Sequence, residues 1–219
     1  MVGMAVMVLL SVCANANAQI KGEGDIPAEY YYLMPSFGQG YIYLKGQMPA
    51  QGQLNICAVD NSLRYLDKGG KELQATNTEN VVKVLIDTVT FLHHQDAYYR
   101  LSPVAPDMGV AVLRKVTIIT DGKEIGYGIT SQTTSSKSYT TLYADGAIYS
   151  LEESKKYPYE VTETLFLYKG DAIYPLSKKN FRKLFPDKKD QIDAYFKEGH
   201  SVPQTLPEAR DLVASFMAE

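Results

Sequence analysis

The 219-residue chain has no tryptophan, only three histidines and only two cysteines. A zinc site usually gathers several Cys, His or carboxylate ligands at characteristic spacing, and the sequence contains neither a paired CxxC motif nor an HExxH motif. A G-x-S-x-G nucleophile elbow, a P-loop and a dinucleotide-binding fingerprint are also missing. The sequence therefore predicts no catalytic residue, no metal and no cofactor.

An excess of positive charge is also missing. The chain carries 22 Lys and Arg residues against 25 Asp and Glu residues, which gives a net charge of −3. No basic field of the kind that recruits nucleic acid is present, so we expect no nucleic-acid partner. Hydrophobic residues make up 45% of the chain, which is ordinary for a globular domain and sufficient for a core.

The first eighteen residues form an apolar segment that turns small and polar at its end. Met1–Ala18 is apolar from Val2 to Val12, and residues 16–18 have the small-x-small pattern that precedes a signal-peptidase cut. We therefore predict a signal peptide at residues 1–18, with cleavage after Ala18. The apolar run is too short to span a bilayer, and we expect no transmembrane span in the mature chain. The chain is expected to be periplasmic, associated with the outer membrane, or extracellular.

Cys13 keeps a second interpretation of export open. Leu10–Cys13 loosely resembles a lipobox, in which the cysteine is lipidated and becomes the first residue. The alternative to a freely secreted chain is therefore a lipoprotein anchored through Cys13. After cleavage at Ala18 only Cys57 remains, so no internal disulfide is available and we expect a buried, inert thiol.

Residues 19–175 consist of short strand-forming runs separated by turn signals. Residues 67–70, 87–88, 94–96, 145–146 and 170–171 have the composition of turns. The sequence predicts a mainly β (α+β) domain with an antiparallel sheet, either sandwich-like or a partly closed barrel.

Residues 176–219 have a helical pattern instead. Ser177 is a candidate N-cap, and Thr205 with Glu208 has the spacing of a capping box. The apolar residues recur at intervals that place them on one side of each helix. We expect two or three short helices, which pack on the sheet because such helices cannot bury their apolar sides alone.

The same segment is rich in positive charge. Its basic residues are Lys178, Lys179, Arg182, Lys183, Lys188 and Lys189. Acidic residues at positions 187, 190 and 193 alternate with them, which favours a solvated helix face. Contact with an anionic membrane or an acidic partner is the alternative.

The tail also carries a resemblance. Ser177–Phe181 followed by Lys183–Lys189 resembles the tail of uncharacterised exported proteins of Bacteroidetes-type bacteria. Residues 37–40, 52–55 and 126–128 are similar to glycine and strand landmarks of that group. The resemblance implies an exported β-rich body with a short helical tail, and it implies no activity.

The segment Val81–Leu101 contains His93 and His94. Adjacent residues of a strand point to opposite faces, so these two histidines cannot easily share one metal ion. Glycoside hydrolysis needs only two carboxylates, and the candidates for such a pair are Asp60, Asp87 and Asp96.

Tyrosines suggest a binding surface. If Ile42 and Leu44 face the core, Tyr41 and Tyr43 face outward, and together with Tyr31 they are candidates for an aromatic platform that binds a sugar or a peptide strand. We expect an exported, non-catalytic envelope protein with a binding or structural role towards an envelope protein or a glycan. A carbohydrate-active hydrolase without a local signature is the alternative. The pattern predicts no particular oligomeric state.

Overall fold

The computed structural model describes residues 17–23, 25–118 and 158–218 of the chain. Over these ranges it contains eleven strands, and all paired strands are antiparallel. The predicted turn at residues 145–146 and the glycines at 126–128 lie outside the described residues. The strands are β1 (Asn17–Glu23), β2 (Gly38–Leu44), β3 (Ala50–Ile56), β4 (Leu63–Leu66), β5 (Glu72–Gln74), β6 (Val81–Ile86), β7 (Val89–His94), β8 (Ala97–Ala105), β9 (Met108–Ile118), β10 (Pro158–Lys169) and β11 (Ala172–Pro175).

Within the described ranges four α-helices accompany the strands, three of them in the tail. The helices are α1 (Ala28–Tyr31), α2 (Lys178–Leu184), α3 (Lys189–Lys197) and α4 (Leu206–Met217). The prediction of a mainly antiparallel β fold with short C-terminal helices is confirmed. None of the helices in the described ranges has both the length and the apolar composition needed to cross a bilayer.

The strands form a single open sheet. Its order is β1-β10-β9-β8-β7-β6-β2-β3-β4-β5, and β11 pairs with β10 beside β1. β1 pairs with the first half of β10 and β11 with its last residues, so these two strands share one edge of the sheet. β5, with three residues, forms the other edge.

Tight turns join neighbouring strands where the sequence predicts them. The hairpin between β7 and β8 turns at Gln95 and Asp96, which have φ values of 49° and 57°. Two successive positive φ angles match the right-handed twist of the flanking strands. Asp87 (φ 51°) and Gly170 (φ 56°) occupy the corresponding turns after β6 and β10. The predicted turns at 87–88, 94–96 and 170–171 are therefore confirmed.

β1 is a strand that the sequence pattern does not reveal. Its described side chains are exposed or half-buried, with Ile20 45% exposed, so no alternation of polar and apolar residues marks it. Gly22 lies opposite Tyr159, and a Cβ atom at Gly22 would clash with that ring. Main-chain pairing with β10 and the ring over the glycine hold the strand in place.

The sheet has an inner face, which packs against the C-terminal helices, and an outer face. Val110 and Val112 of β9 and Leu165 and Leu167 of β10 lie on the inner face, in one cluster with the helices. Ala111 of β9 lies on the outer face with buried neighbours from β8 and β10. Burial on both faces is what the continuous apolar run at 110–113 predicts.

Asn55, which is fully buried, joins β3 to the segment before β2: its Oδ1 accepts from Met34 N and its Nδ2 donates to Met34 O, both at 3.1 Å.

The inner face of the sheet is curved. Val116 N on β9 donates to Ala58 O, just beyond β3, at 3.3 Å. Four strands separate β3 from β9 in the sheet order, so this bond requires the sheet to curl over its inner face.

Aromatic side chains form the centre of the helical cap, defined as α2, α3 and α4. Phe181 is fully buried, and its ring lies 5.5 Å from that of Phe216 and 6.2 Å from that of Phe196. The predicted caps are present: Ser177 Oγ accepts from Asn180 N at 3.3 Å, and Thr205 and Glu208 form a reciprocal capping box. The helices are thus started by their caps and stabilised by this shared core.

Replacing Phe181 with alanine is expected to destabilise the protein by about 3–5 kcal/mol, because it opens a cavity between three helices and the sheet. Urea unfolding followed by circular dichroism measures the change. Met48→Ala is the control, since the Met48 side chain is 89% exposed and its removal is expected to change the free energy of unfolding by less than about 0.5 kcal/mol. Equal stability of the two variants would show that the cap does not depend on Phe181.

Candidate functional site

The outer face contains a concave site of about 350 Å³, which we call the outer-face groove. Residues from four strands and three turns line it. They are Lys83, Thr88, Thr90, Leu92, Leu101, Pro103, Pro106, Asp107, Tyr168, Gly170 and Asp171. The volume falls within the range of small-molecule binding sites.

Strand alternation brings the floor of the groove together. Lys83 of β6 lies opposite Leu92 of β7, and Leu85 lies opposite Thr90, so these side chains share one face. Leu101, on the neighbouring strand β8, continues the floor. The floor therefore combines apolar side chains with one ammonium group and one hydroxyl group.

Two turns form one end of the groove and hold its carboxylates. Asp107 lies in the turn between β8 and β9, and Asp171 lies in the turn between β10 and β11. Gly170 N donates to Asp107 O at 2.7 Å, which ties the two turns together. Both carboxylates are exposed at the rim, where they are available as hydrogen-bond acceptors.

Tyr168 contributes an aromatic wall beside these turns. Its side chain is 3% exposed, and burial, followed by the charge of Asp107, raises its pKa above the ordinary value for tyrosine. The phenol therefore stays protonated at neutral pH. A protonated phenol both donates and accepts a hydrogen bond, while the ring offers an apolar face.

Tyr41 and Tyr43 also lie on the outer face, on the side of Lys83 that is away from the groove. Their ring centroids are 6.5 Å apart, and Tyr41 is 41% exposed. The Nζ atom of Lys83 lies 4.9 Å from the centroid of the Tyr43 ring, a cation–π distance. Because Lys83 also lines the groove, the tyrosine pair and the groove form one continuous surface.

Tyr31 is placed elsewhere. It belongs to α1, its ring packs edge-on against Tyr32 at 4.8 Å, and its carbonyl accepts from Ala58 N. Tyr41 pairs with Gln51, seven positions earlier in the chain than Ala58. Seven residues of extended chain, at about 3.3 Å per residue, therefore separate Tyr31 from the tyrosine pair by roughly 20 Å along β3. The structure brings two of the three candidate tyrosines together and leaves the third apart.

His93 and His94 point to opposite faces, as their adjacency predicts. The Nδ1 atom of His93 lies 3.0 Å from Val81 O and donates to it, since a carbonyl can only accept. The His93 ring packs on Tyr98 at 4.7 Å, whereas His94 contacts Tyr99 at 6.3 Å on the other face. Both histidines take part in cross-strand packing.

Asp60 belongs to a buried polar network. Its Oδ1 accepts from Ser62 Oγ at 2.5 Å, and its Oδ2 forms an ion pair with Arg64, whose side chain is 4% exposed. The network extends to Glu72, which accepts from the Tyr32 hydroxyl at 2.7 Å. The Asp60 carboxylate is committed to these partners, and the network joins β4, β5 and the segment before β2.

The other two candidate carboxylates occupy turns. Asp87 and Asp96 both have positive φ angles and exposed side chains. They serve the hairpins on either side of β7 and do not line the groove. In the part of the chain that the structure describes, no group of three or more His, Cys, Asp or Glu residues is arranged to hold a metal ion.

No sequence pattern singles out the rim carboxylates or Tyr168. Asp107 follows Pro106 and Asp171 follows Gly170, which are ordinary turn patterns, and they are 64 residues apart in the sequence. Only the pairing of β9 with β10, which places Met108 opposite Lys169, brings these turns to the same end of the strands. No local pattern signals this arrangement.

Comparison with known proteins gives no relative from which a function could be transferred: no protein-family model, no curated protein and no solved structure matches the chain.

Cys57 is expected to be unreactive in the folded protein. It is fully buried, and burial, followed by the charge of Asp60, raises its pKa to about 11. Since the thiolate is the reactive form, we expect no alkylation by iodoacetamide at pH 8 in a Cys13→Ser chain, as measured by intact mass. The same chain in urea should be alkylated readily. Rapid alkylation of the folded chain would show that the thiol is accessible and ionised.

Proposed function

We propose that this chain is an exported, non-catalytic protein of the cell envelope that binds a glycan on its outer face. The observation that carries the proposal is the continuity between the outer-face groove and the tyrosine pair through Lys83. A groove with polar groups at its rim, followed by exposed aromatic rings, offers successive sites to an extended ligand.

The chemistry of the surface favours a sugar. Sugars present hydroxyl groups around their edges and C–H groups on their ring faces. The carboxylates of Asp107 and Asp171 accept hydrogen bonds from hydroxyls, and the ammonium group of Lys83 donates them. Tyr41 and Tyr43 provide aromatic contact area at a low cost in conformational entropy.

Charge further restricts the ligand. The groove has two carboxylates against one ammonium group, so its charged groups sum to −1. An anionic ligand would be repelled by the rim, where both carboxylates lie. A neutral glycan therefore suits the groove best.

The rim carboxylates also support a second candidate, a carbohydrate-active hydrolase. Two carboxylates that flank a bound sugar are the minimal equipment for glycoside hydrolysis. Both Asp107 and Asp171 lie in exposed turns, however, whereas the acid of such a pair is usually placed in a protected environment that raises its pKa. Binding without turnover is therefore the preferred proposal.

Binding should depend on the aromatic rings. We expect an array of neutral bacterial and plant glycans to identify a ligand. The double variant Tyr41→Ala/Tyr43→Ala should weaken its binding at least about tenfold, because each ring contributes roughly 1 kcal/mol of contact. The thermal midpoint should stay nearly unchanged, since Tyr41 is exposed and Tyr43 half-buried on the outer face.

Tyr41→Phe/Tyr43→Phe is the matched control, since it keeps the rings and should retain most of the affinity. Equal affinity of the alanine variant and the unchanged chain would exclude the tyrosine pair from the site. Mass spectrometry of the bound glycan separates the two candidates. An intact glycan supports binding, whereas cleavage that is lost in Asp107→Asn or Asp171→Asn supports the hydrolase.

The N-terminal segment supports export, and its position in β1 implies that signal-peptide cleavage comes before β1 pairs with β10. β1 begins at Asn17, so cleavage after Ala18 removes its first two residues. The remaining five stay opposite β10, from Gln19 facing Thr162 to Glu23 facing Pro158. A peptide bond inside a paired strand is a poor protease substrate, and the cut therefore precedes the docking of β1.

Expression in a bacterial host with a periplasm is expected to yield a mature chain that begins at Gln19, as measured by N-terminal sequencing and intact mass. Cys13→Ser should leave this product unchanged. A chain that instead begins at Cys13, carries lipid and loses its membrane association in Cys13→Ser would establish the lipoprotein alternative. A cytoplasmic product of full length would contradict export.

A further inference from the structure

A second concave site lies on the helical cap, away from the outer face. We call it the basic pocket. Its volume is about 650 Å³, and every residue that lines it is a lysine or an arginine: Lys178, Lys179, Arg182, Lys183 and Lys189. Like charges placed side by side are unfavourable unless something neutralises them.

Helix geometry explains why the charges converge. Four of the five residues belong to α2, where 178 and 182, and likewise 179 and 183, are one turn apart and therefore adjacent. The opposite side of α2 holds Phe181 and Leu184, which are buried in the cap. Lys189 is added from the start of α3. Burial of the apolar side thus directs all four basic residues of α2 outward.

The protein neutralises only part of this charge. Asp193 of α3 pairs with Lys178 at 2.9 Å and with Arg182 at 2.7 Å. Its pKa is lowered, mainly by the hydrogen bond from Lys178, as expected beside a surplus of positive charge. The ammonium group of Lys183 lies 4.8 Å from the centroid of the Tyr174 ring.

Two ammonium groups in the pocket have no partner among the described residues. Lys179 and Lys189 are exposed, and neither takes part in an ion pair, a hydrogen bond or a ring contact there. Lys188 provides a contrast: its Nζ donates to Ala218 O at 2.7 Å at the end of α4. Residues 178–193 contain six basic residues against three acidic ones, a net charge of +3, although the whole chain carries −3.

We propose that the basic pocket binds a phosphate group that carries two negative charges, coordinated by Lys179, Lys183 and Lys189. A phosphate offers several oxygen acceptors, and lysines bind it as point charges from different directions. The group belongs either to a free phosphate compound or to a phospholipid headgroup, and both present the same chemistry to the pocket.

The test uses two probes, pyrophosphate and vesicles containing phosphatidic acid. Calorimetry of the folded protein at low and at physiological salt should detect pyrophosphate binding that weakens as salt increases. Lys179→Gln/Lys189→Gln should reduce the affinity at least about tenfold, because it removes the two ammonium groups that are free to bind. Vesicle flotation should show whether the same residues retain the protein on phosphatidic acid and not on phosphatidylcholine.

A charge-matched control separates a site from a general effect of charge. Lys169→Gln/Lys197→Gln removes two exposed lysines that do not line the pocket, and it should bind both probes like the unchanged chain. Binding of pyrophosphate alone supports a free phosphate ligand, and binding of the vesicles alone supports a headgroup. Absence of binding to both probes overturns the proposal. Equal losses in both double variants, or tighter binding of a poly-glutamate peptide than of pyrophosphate, overturn it as well.

Discussion

From Met108 to Leu113 every residue of β9 is buried, and this double-sided burial is the constraint on which the rest of the molecule depends. On the inner face, Val110 and Val112 supply the apolar surface that the three C-terminal helices need, because such short helices cannot stay folded alone. Ala111 and Leu113 face the other way, into the cluster beneath the outer face. Gly109 allows the close approach of β8, since a Cβ atom there would clash with Ser102 O. One strand thus connects the helical cap to the surface that carries the groove.

The two proposed sites follow from the two faces of this sheet. Pairing of β9 with β10 brings the turns at Asp107 and Asp171 to the same end of these strands. Pairing of β6 with β2 places Lys83 next to Tyr43 on the same face of the sheet. On the other side, burial of Phe181 and Leu184 forces the basic residues of α2 into solvent around one depression. The groove is weakly acidic and the basic pocket strongly cationic, so the two surfaces select ligands of different charge. The buried Asp60–Arg64 pair, in contrast, is satisfied internally and serves the fold, since removing either partner would leave an uncompensated charge.

Sequence patterns predicted those parts of the fold that depend on neighbours in the chain. The hairpin at Gln95-Asp96, the caps at Ser177 and Thr205, and the apolar stripe of α2 are set by residues a few positions apart. The tyrosine pair could be anticipated for the same reason, because alternation alone places Tyr41 and Tyr43 on one face. β1 could not, because its pairing with β10 joins residues at least 135 positions apart and none of its described side chains is buried. The separation of Tyr31 from the other tyrosines likewise depends on where α1 packs.

By itself, the sequence determined the class of fold, the turns and the helical tail, and through Met1–Ala18 it predicts export. These properties are local: backbone preferences, capping and alternation act over a few residues. The tertiary structure alone decided that Lys83 links the tyrosine pair to a groove and that Asp107 and Asp171 share a rim. Each of these arrangements joins residues from different strands or turns. Strand order and sheet curvature place them together, and both result from burying the whole apolar surface at once, which no short stretch of sequence can specify.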